Sequence, residues 1–345
     1  MAANKSNASG SGRRRLRRWL VLAAVLLLAL GVDAYQQLHT PLRLAQSINL
    51  EIANGERFAN VLAALRERGV LNSRQTFYLG LYARMNGEAR RIKAGEYRLQ
   101  PGGNSLLMLD QFVAGKILMH QLQLIEGWQF KQAWQAIMSD PDLRHTLSAQ
   151  ASAASIMAAI GHSGVAAEGQ FFPDTYRFPR HQSDVDFLRR AYDEMHSRLQ
   201  TVWADRAGDL PLKSAYDALI MASLIEKETA QALERSEIAG VFTRRLQIGM
   251  RLQTDPTVIY GMGSAYAGNI RLNDLTHDTP YNTYTRSGLP PTPICLPGEP
   301  SLEAAVHPAN GKALYFVSKG DGSHAFSATL AEHDANVRRY QLGDK

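Results

Sequence analysis

Fourteen consecutive residues, Trp19 to Val32, carry no charge, and they follow directly on Arg13, Arg14, Arg15, Arg17 and Arg18. A run of this kind partitions into a bilayer, and its arginine-rich flank stays on the cytoplasmic side. Residues 1–18 are therefore read as a basic cytoplasmic tail and 19–35 as a transmembrane anchor. Everything beyond residue 35 is expected on the far side of the membrane. The run is shorter than the roughly 20 residues of a comfortable span. Val32-Asp33-Ala34 also offers the small residues of a cleavage site, so a removed signal peptide is the alternative. Trp19 and Tyr35, which bracket the run like interfacial aromatics, favour the anchor. Both readings export the body of the chain.

The tail also accounts for the charge. Of 38 Lys and Arg residues, Lys5 and five arginines lie within the first 18 positions, which leaves 32 against 32 Asp and Glu. A formally neutral body lacks the electrostatic footprint of phosphate-backbone binding, so nucleic acid is set aside as a partner. Cys295 is the single cysteine. It cannot close an intramolecular disulfide and reads as a small buried hydrophobe. The ten histidines form no HExxH pair or other compact ligand set, and no GxSxG elbow or phosphate-binding glycine loop occurs, so no metal and no cofactor are expected.

Beyond a short polar stalk, residues 45–100 hold a compact pattern. Ile48 to Ile52 alternates like a strand, Phe58 to Leu65 and Arg74 to Met85 have helical spacing, and Ile92 to Leu99 closes the unit as a second strand. This is a small α+β module. Residues 101–154 connect it, through a helix at Leu106 to Val113 and a strand at Leu122 to Glu126, to a mixed α/β body over 155–340. That body opens with the aromatic-rich stretch EGQFFPDTYRF at 168–178. Aromatics in such a run are usually core, although sugar rings also stack on aromatic faces.

The segment SAYDALIMASLIEKE, Ser214 to Glu228, is helical by composition. At about 100° per residue Ala215, Leu219, Ala222 and Glu226 fall on one stripe, which sets Glu226 at the end of an apolar face. A carboxyl group in apolar surroundings is held protonated and suits a general acid. The bland reading is a half-exposed residue in the last turn, and Lys227 and Glu228 leave its tuning open. Glu228 points roughly to the other side. Downstream, MRLQTDPTVIYG and YNTYT are dense in amide, hydroxyl and phenol groups, the inventory that grips sugar hydroxyls. Gln253, Asp255, Asn282 and Tyr284 are the candidate substrate-binding residues, each with the alternative of simply tying loops together. His324, just after the turn at 320–323, is within reach of the cleft, although its strand context favours a structural or edge position.

Taken in order, SLIEKETA, GMRLQTDPTVIYGMG, TPYNTYTRSGLPPTPI, EAAVHPA and YFVSKGDGSHAFS resemble the endolytic murein transglycosylases of the YceG-like (MltG) family over about residues 45–340. The resemblance implies a single-pass inner-membrane protein with a LysM-like subdomain at 45–100 and a periplasmic catalytic domain. It further implies peptidoglycan glycan strands as substrate and partnership with peptidoglycan synthases, the penicillin-binding proteins. The catalytic glutamate it implies is the first acidic residue of EKET, Glu226. Such an enzyme needs one carboxyl group and no metal, because the C6 hydroxyl of the substrate is the nucleophile. A lysozyme-type hydrolase, with Asp255 as a second carboxylate, and a non-catalytic glycan-binding scaffold are the competing readings.

Overall fold

The computed structural model describes residues 9–343, so Lys5 of the basic tail lies outside them. These residues divide into two compact units, Met1–Met119 and His120–Lys345, a boundary that falls inside the expected connecting region.

The first unit begins with helix α1 (Ser9–His39), followed by β1 (Ile48–Ile52), α2 (Phe58–Glu67), α3 (Ser73–Met85), β2 (Gly95–Leu99) and α4 (Ser105–Ala114). Within α1, Arg13–His39 is long and apolar enough to cross a membrane. β1 and β2 pair antiparallel, Leu50 opposite Tyr97 and Ile52 opposite Gly95. The period-2 alternation of the strands sends Leu50, Ile52, Tyr97 and Leu99 into one core with Leu65, Leu79 and Phe112. Asn72 starts α3 with a capping box: its side-chain oxygen accepts from the Gln75 backbone amide, and the Gln75 side-chain oxygen accepts from the Asn72 backbone amide.

The second unit contains β3 (Met119–Gln123), α5 (Phe130–Ser139), α6 (Ala153–Ala159), β4 (Thr175–Pro179) and α7 (Asp184–Ala204). Next come α8 (Ala215–Glu228), α9 (Arg235–Gln247), α10 (Asp255–Met262), α11 (Leu272–Thr276) and α12 (Glu299–Val306). The unit ends with β5 (Tyr315–Ser318), β6 (His324–Ser327) and α13 (Leu330–Gln341). β3 pairs with β4 and β5 with β6, so the unit is largely helical with two small ribbons. The aromatics of 168–178 are core, as their type suggests: Phe171, Tyr176 and Phe178 pack with Phe187 and Tyr192 of α7.

α8 is the centre of the second unit. Ser214 caps its first turn by accepting from the Asp217 amide. Every side chain from Ala218 to Ile225 is buried, because α7, α9, α10 and α12 pack around it. A helix enclosed on all sides needs no amphipathic stripe. The apolar stripe that the helical wheel draws is thus one sector of an apolar cylinder, and polarity returns only at the tip, Glu226-Lys227-Glu228.

Candidate active site

The tip of α8 sends its two glutamates to different places, since residues two apart on a helix diverge by about 200°. Glu226 meets the start of α12. Its Oε2 accepts from the Gly298 amide at 3.1 Å and from the Ser301 hydroxyl at 2.7 Å, and its Oε1 lies 3.8 Å from an Arg235 guanidinium nitrogen. The side chain is 7% exposed. The surroundings of this carboxylate are polar, contrary to the apolar setting drawn from the helical wheel. Its donors are the free amide at the N-terminus of α12, the hydroxyl one turn in, and a cation. Glu126 lies close enough that the charge of Glu226 helps push its carboxyl up, after burial and against the pull of Arg235.

Glu228 faces a concavity of about 460 Å³. The same concavity is lined by Gln253, Asp255, Tyr284, Arg245, Phe316 and His324, among others. The hydroxyl of Thr254 donates to the Glu228 carboxylate. Burial raises the Glu228 carboxyl to about 7; the Thr254 bond opposes this and the nearby charge of Asp255 adds to it. Its place at the last position of α8 acts in the same direction, because the negative end of the helix dipole disfavours an anion there.

Three of the four candidate substrate-binding residues converge on this concavity. The Tyr284 hydroxyl donates to Asp255 Oδ1 at 2.5 Å, and burial, followed by that bond, holds the phenol above its ordinary range. Asp255 opens α10, with Pro256 behind it. Gln253 is held at φ 48°, one of two non-glycine residues among those described in the left-handed region, by a bond from its amide to the Thr283 carbonyl. A threonine knot fixes this corner: the Thr254 amide donates to the Thr283 hydroxyl at 3.0 Å, which lies 2.9 Å from the Thr257 hydroxyl.

Asn282 is different. It is 1% exposed. Its side-chain amide donates to the carbonyls of Asp274, Leu275 and His277, and its oxygen accepts from the Tyr284 amide. These bonds tie the loop to the C-terminal end of α11 and to its own next turn, so Asn282 shapes the segment that carries Tyr284 and is absent from the lining.

His324 lines the concavity while its Nδ1 lies 2.7 Å from Glu234. Glu168 is a second half-buried carboxyl, raised to about 7 by burial. It accepts from the Phe130 amide at the start of α5 and from the Tyr260 hydroxyl. Glu228 is the glutamate of the pair that faces the concavity, and it is absent from the candidate residues read from the sequence. Its signal was available, since a helix that turns Glu226 toward one neighbour turns Glu228 toward the opposite one.

A model of the YceG-like family matches residues 50–339. The chain belongs to the YceG-like family. Among its YceG-like relatives, a Bacillus subtilis protein named endolytic murein transglycosylase is 30% identical over 85% of this chain and 85% of its own length. A Streptococcus pneumoniae protein of the same name is 25% identical over 85% of this chain, which spans 58% of that longer relative. The crystal structure of a yceG-like protein from Listeria monocytogenes superposes with a TM-score of 0.52 and 29% identity, covering 84% of this chain and 98% of that one. All three alignments take in most of this YceG-like chain.

Proposed function

We propose that this protein is an endolytic lytic transglycosylase of peptidoglycan, and that the carboxyl group doing its chemistry is Glu228, two residues beyond the Glu226 that the EKET motif suggests. The observation carrying this assignment is a half-buried carboxyl raised to about 7, in one concavity with Asp255, Gln253 and Tyr284. A general acid works best with a pKa near the operating pH.

Protonated Glu228 gives its proton to the glycosidic oxygen between MurNAc and GlcNAc as the C1–O bond breaks. The C6 hydroxyl of the same MurNAc attacks C1, and its proton passes to the Glu228 carboxylate. The products are a 1,6-anhydroMurNAc end and a free GlcNAc hydroxyl, with no water consumed and the acid restored. Asp255, held by the Tyr284 hydroxyl, sets its carboxyl group beside the cationic transition state. Glu226 fastens the start of α12 to α8.

The anchor and body follow the sequence reading. Residues 1–18 are cytoplasmic, α1 spans the inner membrane and the catalytic body over 155–340 is periplasmic, in keeping with the arginine flank. The two-stranded α+β module at 45–100 is a LysM-like glycan-binding subdomain. An enzyme that cuts within strands as they are made works beside the peptidoglycan synthases, which are its partners in this reading.

The test is product analysis of purified glycan strands in ¹⁸O-labelled water. Wild type yields anhydro ends without label, Glu228→Gln yields none, and Glu226→Gln retains turnover if it folds. Labelled reducing ends would establish a hydrolase. An active Glu228→Gln protein beside a folded, inactive Glu226→Gln protein would return the role to Glu226.

A further inference from the structure

The first unit carries an apolar surface whose position is set by α1. Helix α3 packs on the outer part of α1: the Asn72 side chain donates to Gln37, and both Arg74 (3.3 Å) and the Tyr78 hydroxyl (2.8 Å) donate to Asp33. From Asn72 to Tyr78 the contacts thus move back along α1 from Gln37 to Asp33, toward the uncharged run that ends at Val32. Continuing the stripe of Arg74 and Tyr78 by one and two turns gives Leu81 and Met85. These are 47% and 78% exposed, and Phe77 beside them is 65% exposed. Exposed large apolar side chains on successive turns of one helix, next to residues bonded to Asp33 at the end of the apolar run, are unlike the scattered exposed leucines of an ordinary surface.

The length of the span adds an independent argument. Fourteen uncharged residues rise about 21 Å, against a hydrocarbon core about 30 Å thick. The arginine flank makes up part of the deficit by extending its side chains to the headgroups. Drawing Asp33 and the helix bonded to it to the edge of the hydrocarbon would supply the rest at the other end. Asp33 is equipped for this, since Arg74 and Tyr78 answer its charge locally. Arg84, next to Met85, and Arg90 line one concavity and are exposed, within reach of lipid phosphates.

We infer that the first unit rests on the bilayer through α3, with Phe77, Leu81 and Met85 seated among the headgroups and upper acyl chains beside the end of α1. The inference rests on the reading of α1 as a membrane span. On it, the helix layer of the small module is held at the lipid surface instead of swinging freely on a stalk.

The experiment uses the full chain in lipid nanodiscs, with a nitroxide attached in turn at Leu81→Cys, Met85→Cys and Val25→Cys. Cys295 is buried, with its thiol on the Ser223 carbonyl, and stays unlabelled. Power saturation compares access to lipid-soluble oxygen and to a water-soluble nickel chelate. The expected result is several-fold greater access to oxygen than to chelate at all three sites, with residue 25 the deepest. If residue 25 is in lipid while residues 81 and 85 favour the chelate, α3 does not rest on the membrane and the anchor stands. If residue 25 itself favours the chelate, α1 does not span and the inference falls with it.

Discussion

The pair of neighbours that tune Glu228 in opposite directions gives a test with two signs. Burial lifts this carboxyl from 4.5 to about 7; the Asp255 charge adds to the lift and the Thr254 hydroxyl bond works against it. If the protonated form is the working acid, activity falls on the alkaline side of about pH 7, and about one-tenth of the acid form remains at pH 8. Asp255→Asn removes a like charge, an effect on the order of one pH unit. The alkaline limb then moves toward acid, leaving about tenfold less acid form at pH 8 than in wild type. Thr254→Val removes a bond made to the ionised form, and the limb moves toward alkali. The assay is initial-rate release of anhydro-ended fragments from soluble glycan between pH 5 and 9, with the limb fitted separately from the plateau. A plateau loss without movement of either limb, or movement of both limbs in the same direction, would refute the reasoning.

The two glutamates also predict opposite effects on stability. The native chain holds the Glu228 proton up to about 7, whereas the unfolded carboxyl titrates near 4.5. The folded state binds more protons across that window, so this group's stabilising contribution is full below about 4.5 and is lost as pH rises through about 7. Glu228→Gln therefore raises stability at pH 8, by on the order of 1–3 kcal/mol, in urea unfolding followed by circular dichroism. Glu226→Ala lowers it by about 3 kcal/mol, because the Gly298 amide and the Ser301 hydroxyl lose their acceptor and the buried Arg235 loses its counter-charge. Gly169→Ala is destabilising as well, by about 2–4 kcal/mol in the same assay. Gly169 sits at φ 78° and an added Cβ would lie 2.4 Å from the Cβ of Pro293.

Local elements were largely legible in the sequence. Helix spacing placed α2, α3, α4 and α8 within a few residues of their observed ends, and alternation placed β1. The strand read at 122–126 lies at 119–123, because Leu122 and Leu124 are apolar on both sides of the true end and no turn residue marks it. The helical wheel described the turns of α8 but not what they meet. Gly298 and Ser301 come from a segment more than seventy residues downstream, and no periodicity within α8 encodes that contact. Gln253, Asp255 and Tyr284 were legible as a polar set because they cluster in two short stretches. That the Asn282 side chain turns to the end of α11 instead of the concavity could not be read, since an amide that ties backbone together and one that lines a cleft have the same composition.

The forked tip of α8 also bears on how chains of this design can change length. Deleting or inserting one residue anywhere between Ala215 and Ile225 would turn the tip by about 100°, moving Glu226 off the α12 amide and Glu228 off Thr254 in the same step. Substitutions along α8 can be absorbed one at a time by repacking, but a single-residue indel strikes the α12 contact and the Thr254 contact together. The spacing from Ser214 to Glu228 is thus a fixed ruler, and sequence drift is expected to spare its length more strictly than its composition.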